Sequence, residues 1–157
     1  MNVDDLHKKA HERWESGDLR SAFRLFLSLA KRGDSEGQFC VAYFYDVGVG
    51  LKPNCEKAIH WYKQAYRQGM RSAASNIGTV FRDKQDLRQA LSWFERAVKL
   101  DDGDANLEIA RIYLRKGNEI KAVRYLRQTL KAKADDVTEG SKDEARRILR
   151  QLTKATR

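Results

Sequence analysis

His7 and His11 stand four residues apart near the start of the chain, and Glu12 follows them. That spacing puts two imidazoles on one face of a helix, which is the beginning of a transition-metal site. A metallohydrolase of the His-Glu-x-x-His kind needs its glutamate directly after the first histidine, where this chain has Lys8. No third ligand stands at any motif spacing, so the sequence predicts no metal and no cofactor. Ser28 and Lys31, in "SLAK", have the spacing of a Ser-x-x-Lys nucleophile, but the apolar register of their helix needs Leu29 inside and no partner motif follows. The "GVG" of residues 48–50 follows a helix and precedes no Lys-Ser or Lys-Thr, so it reads as a connection and not as a phosphate-binding loop. Cys40 and Cys55 form no Cys-x-x-Cys pair and read as small buried thiols. Without a convergent acid–base cluster, the sequence predicts a protein that is not an enzyme.

These residues ride on a repeating pattern. In "KAIHWYKQAYRQGMRSA", Ala58, Trp61, Tyr62 and Ala65 recur at i, i+3, i+4 and i+7, the spacing of one helical face. The same face returns as Ala90, Trp93, Phe94 and Ala97, as Ala122, Tyr125, Leu126 and Thr129, and earlier as Ala22, Leu25, Phe26 and Leu29. The leading alanines are 36, 32 and 32 residues apart, a period that signals stacked supersecondary units. A second series alternates with the first: Ala42 with Tyr45, Gly78 with Phe81, Ala110 with Tyr113, and Ala10 with Arg13 in place of the aromatic. A small residue lets two helix backbones approach, and the aromatic one turn later fills the space beside them. Each repeat is therefore a hairpin of a helix A and a helix B, with turn signals such as "SGDL", "DKQDL" and "KGNEI" inside the hairpins. The four extra residues of the second unit fall in "DVGVGLKPN", which predicts a longer connection there.

The run "YDVGVGLKPNCEKAIHWYKQAYRQGMRSA", residues 45–73, resembles the Sel1-like repeat, a branch of the tetratricopeptide-repeat superfamily. The flanking units are similar to the shorter tetratricopeptide pattern, through Gly17, Leu19, Ala22 and Phe26, through Gly78, Phe81, Ala90, Phe94 and Ala97, and through Ala110, Tyr113, Gly117 and Ala122. The resemblance implies an all-α, right-handed α/α superhelix, a solenoid of about four helical hairpins. One domain over residues 1–157 is expected, with repeats at 3–33, 34–69, 70–101 and 102–133. A capping helix at 141–155 follows, with Ala145, Ile148, Leu149 and Leu152 facing the last hairpin.

The family implies a groove lined by the A helices that binds a segment of a partner protein, as a scaffold, an adaptor or an immunity-type binder. With Ala10, Ala42, Gly78 and Ala110 as the reference, groove positions fall three before, one after and four after the small residue. They are His7, His11 and Trp14; Phe39, Tyr43 and Asp46; Ser75, Thr79 and Arg82; then Leu107, Arg111 and Leu114, with Arg115 beside the last. The lining runs from aromatic to basic, so the expected partner is a peptide or protein with apolar and acidic character. The Lys and Asn set of the peptide-carboxylate clamp is missing from these positions.

Charge adds an alternative. The net charge of +9 is concentrated at one end: residues 111–157 hold 14 Lys and Arg against 6 Asp and Glu. Arg124, Arg127 and Lys131 form one stripe, and Arg146, Arg150, Lys154 and Arg157 another. A basic third of this kind fits nonspecific contact with nucleic acid, though no recognition helix or stacking platform accompanies it. No apolar run approaches a membrane span and the N-terminus is charged throughout, so a cytoplasmic chain without membrane contact is expected.

Overall fold

A computed structural model describes residues 2–155. Nine α-helices and one π-helical turn follow in order among the described residues, with no strand. They are α1 (Val3–Glu15), α2 (Leu19–Lys31), α3 (Ser35–Tyr43) running into the π turn (Phe44–Gly48), α4 (Cys55–Arg67), α5 (Ser72–Asp83), α6 (Leu87–Val98), α7 (Asp104–Arg115), α8 (Glu119–Lys131) and α9 (Glu139–Ala155). Short polar residues start them. Asn2, Asp18, Asp34, Asn54, Asp86 and Asn118 each accept a hydrogen bond from the backbone N–H three residues on, at 2.6–3.2 Å. Each satisfies one of the donors a helix start leaves open. The hairpin ends close with six-residue bonds such as Asp34 N–H to the Leu29 carbonyl, 3.1 Å, around Gly33 at φ +87°. Gln85 and Asp101 hold the equivalent left-handed position without being glycine.

The backbone divides into two compact units, one up to Val80 and one from Phe81 onward. In the first, the small positions do what their spacing predicts: Ala10, Ala22, Ala42 and Ala58 are fully buried. Leu6, Phe26, Leu29, Val41 and Phe44 fill the core between α1, α2 and α3, and Trp14, Phe23 and Tyr45 pack on it. Phe44 is its hub, with ring centroids of Trp14 at 4.9 Å, Phe23 at 5.3 Å and Phe26 at 6.3 Å. The extra residues of the second repeat begin as a continuation of α3. The π turn carries the helix on to Gly48, and its wider winding swings Phe44 inward while Val47 stays exposed. The loop starts only after it, where Gly48 at φ +77° faces Pro53 so closely that a Cβ would lie 2.5 Å from the proline ring.

Gly37 sits inside α3 with an ordinary helical backbone, where alanine normally gains about 1 kcal/mol. Here a Cβ would meet Leu29 Cβ at 2.6 Å and the Ala30 nitrogen at 2.8 Å. Backbone cannot yield as a flexible side chain does, so Gly37→Ala is expected to destabilise by about 1–2 kcal/mol net. A chemical denaturation midpoint at or above that of the parent would show that α2 and α3 can move apart freely.

In the second unit, Ala90, Trp93, Phe94 and Ala97 of α6 are buried, and Leu107 and Ala110 of α7 share a core with Leu126 of α8 and Ala145 and Ile148 of α9. Leu149 and Leu152 pack on the same cluster, so α9 is the capping helix that its pattern predicts, starting two residues earlier. Its approach is fixed by the segment before it. Gly103 N–H donates to the Asp136 carbonyl at 2.6 Å, and the Asp104 carboxylate accepts from both the Thr138 backbone and hydroxyl at 2.9 and 3.0 Å.

Candidate functional site

In the first unit, Trp14 leaves α1 half-buried and reaches across to the second hairpin, with its ring 6.0 Å from Tyr43 and edge-on to Phe44. Tyr43 is 37% exposed and Val47, one turn further, 55% exposed. Phe39 is half-buried and edge-on to Tyr62 at 5.4 Å. Trp14, Tyr43 and Val47 thus leave apolar surface open to water. Asp46 is held in place by the Tyr62 hydroxyl, which donates to its carboxylate at 3.2 Å. Burial first, and the Asp46 charge second, push the Tyr62 phenol far above its usual range, so it stays a donor at any physiological pH. Ser75 and Thr79 of α5 are half-buried.

His7 and His11 are not solitary. His7 Nε2 lies 3.1 Å from Asp34 Oδ2, and His11 Nε2 lies 2.8 Å from Glu36 Oε1. Both carboxylates stand at the start of α3, and His11 also rests edge-on against Phe26. Glu36 and Asp34 escape a search along one helix, because they are 25 and 27 residues from the imidazoles they meet. The repeat period does contain the signal: 32 residues before Glu36 stands Asp4, one helical turn before His7. On the neighbouring A helix that height comes within reach. Cys40 lies one turn beyond Glu36. Its half-buried thiol is pushed up to about 12, by burial first and then by the Glu36 and Asp34 charges.

In the second unit the expected basic lining needs correction. Arg82 is ion-paired with Glu108 and Asp83, and Arg111 with Glu108 and in a two-pronged pair with Glu144 of α9, Nε to Oε1 at 3.3 Å and Nη2 to Oε2 at 2.5 Å. Glu108 is 18% exposed and stands between the two guanidiniums. These arginines hold the fold together rather than stand ready for a ligand. Arg115 is exposed and donates to the neutral Gln85 amide oxygen at 2.7 Å. Leu107 is not a lining residue either: it is 3% exposed, because α9 lies over it, while Leu114 packs half-buried on the same cluster.

The basic stripes differ from each other. Arg146 folds back on Glu139 at 2.9 Å and Asp143 at 2.6 Å, whereas Arg150 and Lys154 are exposed and Arg157 lies outside the described residues. Arg124, Arg127 and Lys131 flank a shallow depression on α8 together with Val123 and Ile120, which is 86% exposed.

Comparison with known proteins bears on what this arrangement is. Residues 15–34 and 35–70 match the Sel1 repeat, and residues 72–104 and 103–136 match the tetratricopeptide repeat. Chitin synthase regulatory factor 3 of Schizosaccharomyces pombe is 30% identical over 104 residues, 61% of this chain and 11% of that protein. The chain thus spans about a tenth of that relative's length. The crystal structure of c5321, a protective antigen of uropathogenic Escherichia coli strains with an SLR fold, superposes with a TM-score of 0.66 at 24% identity, over 82% of this chain and 30% of that one. A Sel1 repeat protein from Oxalobacter formigenes superposes with a TM-score of 0.64 at 19% identity, over 80% and 55%. At these identities the likeness is one of fold: an all-helical SLR-type solenoid. Among the described residues no helix is long and apolar enough to cross a membrane.

Proposed function

Because the chain is a Sel1-like and tetratricopeptide-like repeat protein, we propose that it is a non-enzymatic module whose A-helix face in the first unit holds a segment of another protein. Repeats of this kind generally mediate protein–protein interaction, and such scaffolds are generally non-catalytic. The observation that carries the reading is the apolar step of Trp14, Tyr43 and Val47, left exposed beside a well-filled aromatic core. An aromatic surface open to water on a rigid helix face costs solvation unless a partner covers it, and aromatic anchors dominate interface energies. The partner segment presents an apolar side chain to this step. The role is that of an adaptor or a dedicated binder of one protein.

The test is to recover the partner by affinity from the native cell and measure its binding to purified variants across a salt series. Tyr43→Ala is expected to weaken binding about tenfold, and Ile120→Ser, at an exposed apolar residue of the second unit, to leave it unchanged. Salt should weaken binding only modestly, since apolar anchors are not screened. Binding that is indifferent to Tyr43→Ala, or that falls steeply with salt and disappears when Arg124 and Arg127 are reversed to glutamate, would overturn the reading in favour of nucleic acid.

A further inference from the structure

We propose that His7, His11 and Glu36 form a binding site for one divalent transition-metal ion of the zinc class, which ties α1 to α3. The three side chains each bring a ligand atom to within 4.8 Å of the others, the one such cluster of His, Cys, Asp and Glu among the described residues. Two imidazoles and a carboxylate suit zinc and its neighbours in the transition series, with a fourth position left for water.

The hydrogen-bond arrangement argues for an ion more strongly than proximity does. A carboxylate can only accept, so at the 3.1 Å contact with Asp34 Oδ2 the hydrogen of a neutral His7 ring sits on Nε2. That leaves a lone pair on Nδ1, which is shut off from water and has no hydrogen-bond partner. What faces it is Glu36 Oε2 at 3.6 Å, another acceptor. Two lone pairs facing each other are relieved by a cation between them, a proton on the ring or a metal ion, and the second imidazole, His11, on the same carboxylate favours the metal ion. The His7 ring is meanwhile oriented by Asp34, which is how metal-bound histidines are commonly held: one nitrogen on the ion, the other donating to a carboxylate. The two rings lie nearly parallel, 16° apart with centroids at 6.4 Å, so His11 Nε2 approaches the same Glu36 carboxylate.

The distances fit with a small adjustment. Around a tetrahedral ion with bonds of about 2.1 Å, ligand atoms stand about 3.4 Å apart. The His7 Nδ1 to Glu36 contact at 3.6 Å already matches this, and the His11 Nε2 to Glu36 contact at 2.8 Å must open. His11 and Glu36 are both about half exposed and can move. On binding, the ion takes the place of the hydrogen that His11 now donates, and that ring carries its hydrogen on Nδ1. Cys40 is not among the residues whose ligand atoms converge here. The proposal does not depend on whether a partner segment occupies this face.

The experiment uses tag-free full chain, stripped with chelator and dialysed against zinc alone, with elemental analysis, titration calorimetry and thermal unfolding as readouts. About one zinc per chain is expected, with a midpoint that rises with zinc concentration and falls back with chelator. Asp34→Asn keeps the helix cap, since asparagine caps as well as aspartate, and should weaken zinc about 10–100-fold by releasing His7. His11→Ala and Glu36→Gln should weaken it at least as much while leaving the helical circular dichroism of the metal-free chain unchanged. His60→Ala, and Cys40→Ser with Cys55→Ser, should bind as the parent does. Failure to take up stoichiometric zinc would overturn the site, as would uptake that survives the His7→Ala, His11→Ala double substitution or is lost in the cysteine variant.

Discussion

Phe44→Ala should lower stability by about 3–5 kcal/mol, the largest effect of any single truncation in the first unit. The ring is fully buried and touches three others, those of Trp14, Phe23 and Phe26, so its removal opens a void that rigid aromatic neighbours cannot collapse into. Against a total of about 5–15 kcal/mol for a domain, that loss leaves the unit barely folded. Urea titration followed by tryptophan fluorescence reads it directly, because Trp14 reports from the edge of the void. Phe44→Leu should cost far less, since it keeps most of the volume. A loss below about 1 kcal/mol for the alanine variant would mean that the π turn can rewind to an ordinary helix and refill the space.

Glu108→Ala should cost about 2–3 kcal/mol in the second unit. Glu108 lies between Arg82 and Arg111 and is 18% exposed, against 28% and 39% for the two arginines, so solvent screens the pairs only in part. Removing the carboxylate leaves two guanidiniums facing each other across the gap it filled, one of them also tethering α9 through Glu144. Glu108→Gln keeps the shape and isolates the charge, and should lose most of the same stability. Removing Arg146, whose pairs with Glu139 and Asp143 lie on the exposed surface, should change little. The check is thermal unfolding of the three variants at low and high salt, where the Glu108 cost should shrink as salt rises. A midpoint unmoved by both Glu108 variants would show that the arginines find other carboxylates.

How far the sequence reached depended on how local the determinant is. The buried alanines at positions 22, 58, 90 and 122 and the small residues at 10, 42, 78 and 110 were legible, because helix approach demands small side chains at a fixed period and nothing further along the chain can replace them. Helix starts were legible from single Asp and Asn residues. Leu107 was misplaced because the register gives the direction of a side chain on α7, whereas its burial is decided by α9, about 40 residues later. The arginines were misjudged for a similar reason. Charge counted along the chain says where cations are, but Glu108 and Glu144 neutralise them in space. The longer second repeat reads as a longer loop, and a third of "DVGVGLKPN", Asp46–Gly48, is helix, since a π turn leaves no mark in composition that distinguishes it from a loop rich in glycine nearby.

Cys40 has a use as a built-in gauge. A thiol reacts as the thiolate, and one held at about 12 presents almost none at neutral pH while α3 stays closed over it. Alkylation at that position therefore proceeds through opened molecules, at a rate set by how often the helix lifts away from its neighbours. The chain carries its own chemical clock for breathing motions in the first unit, read at Cys40 once the other free thiol, Cys55, is followed separately.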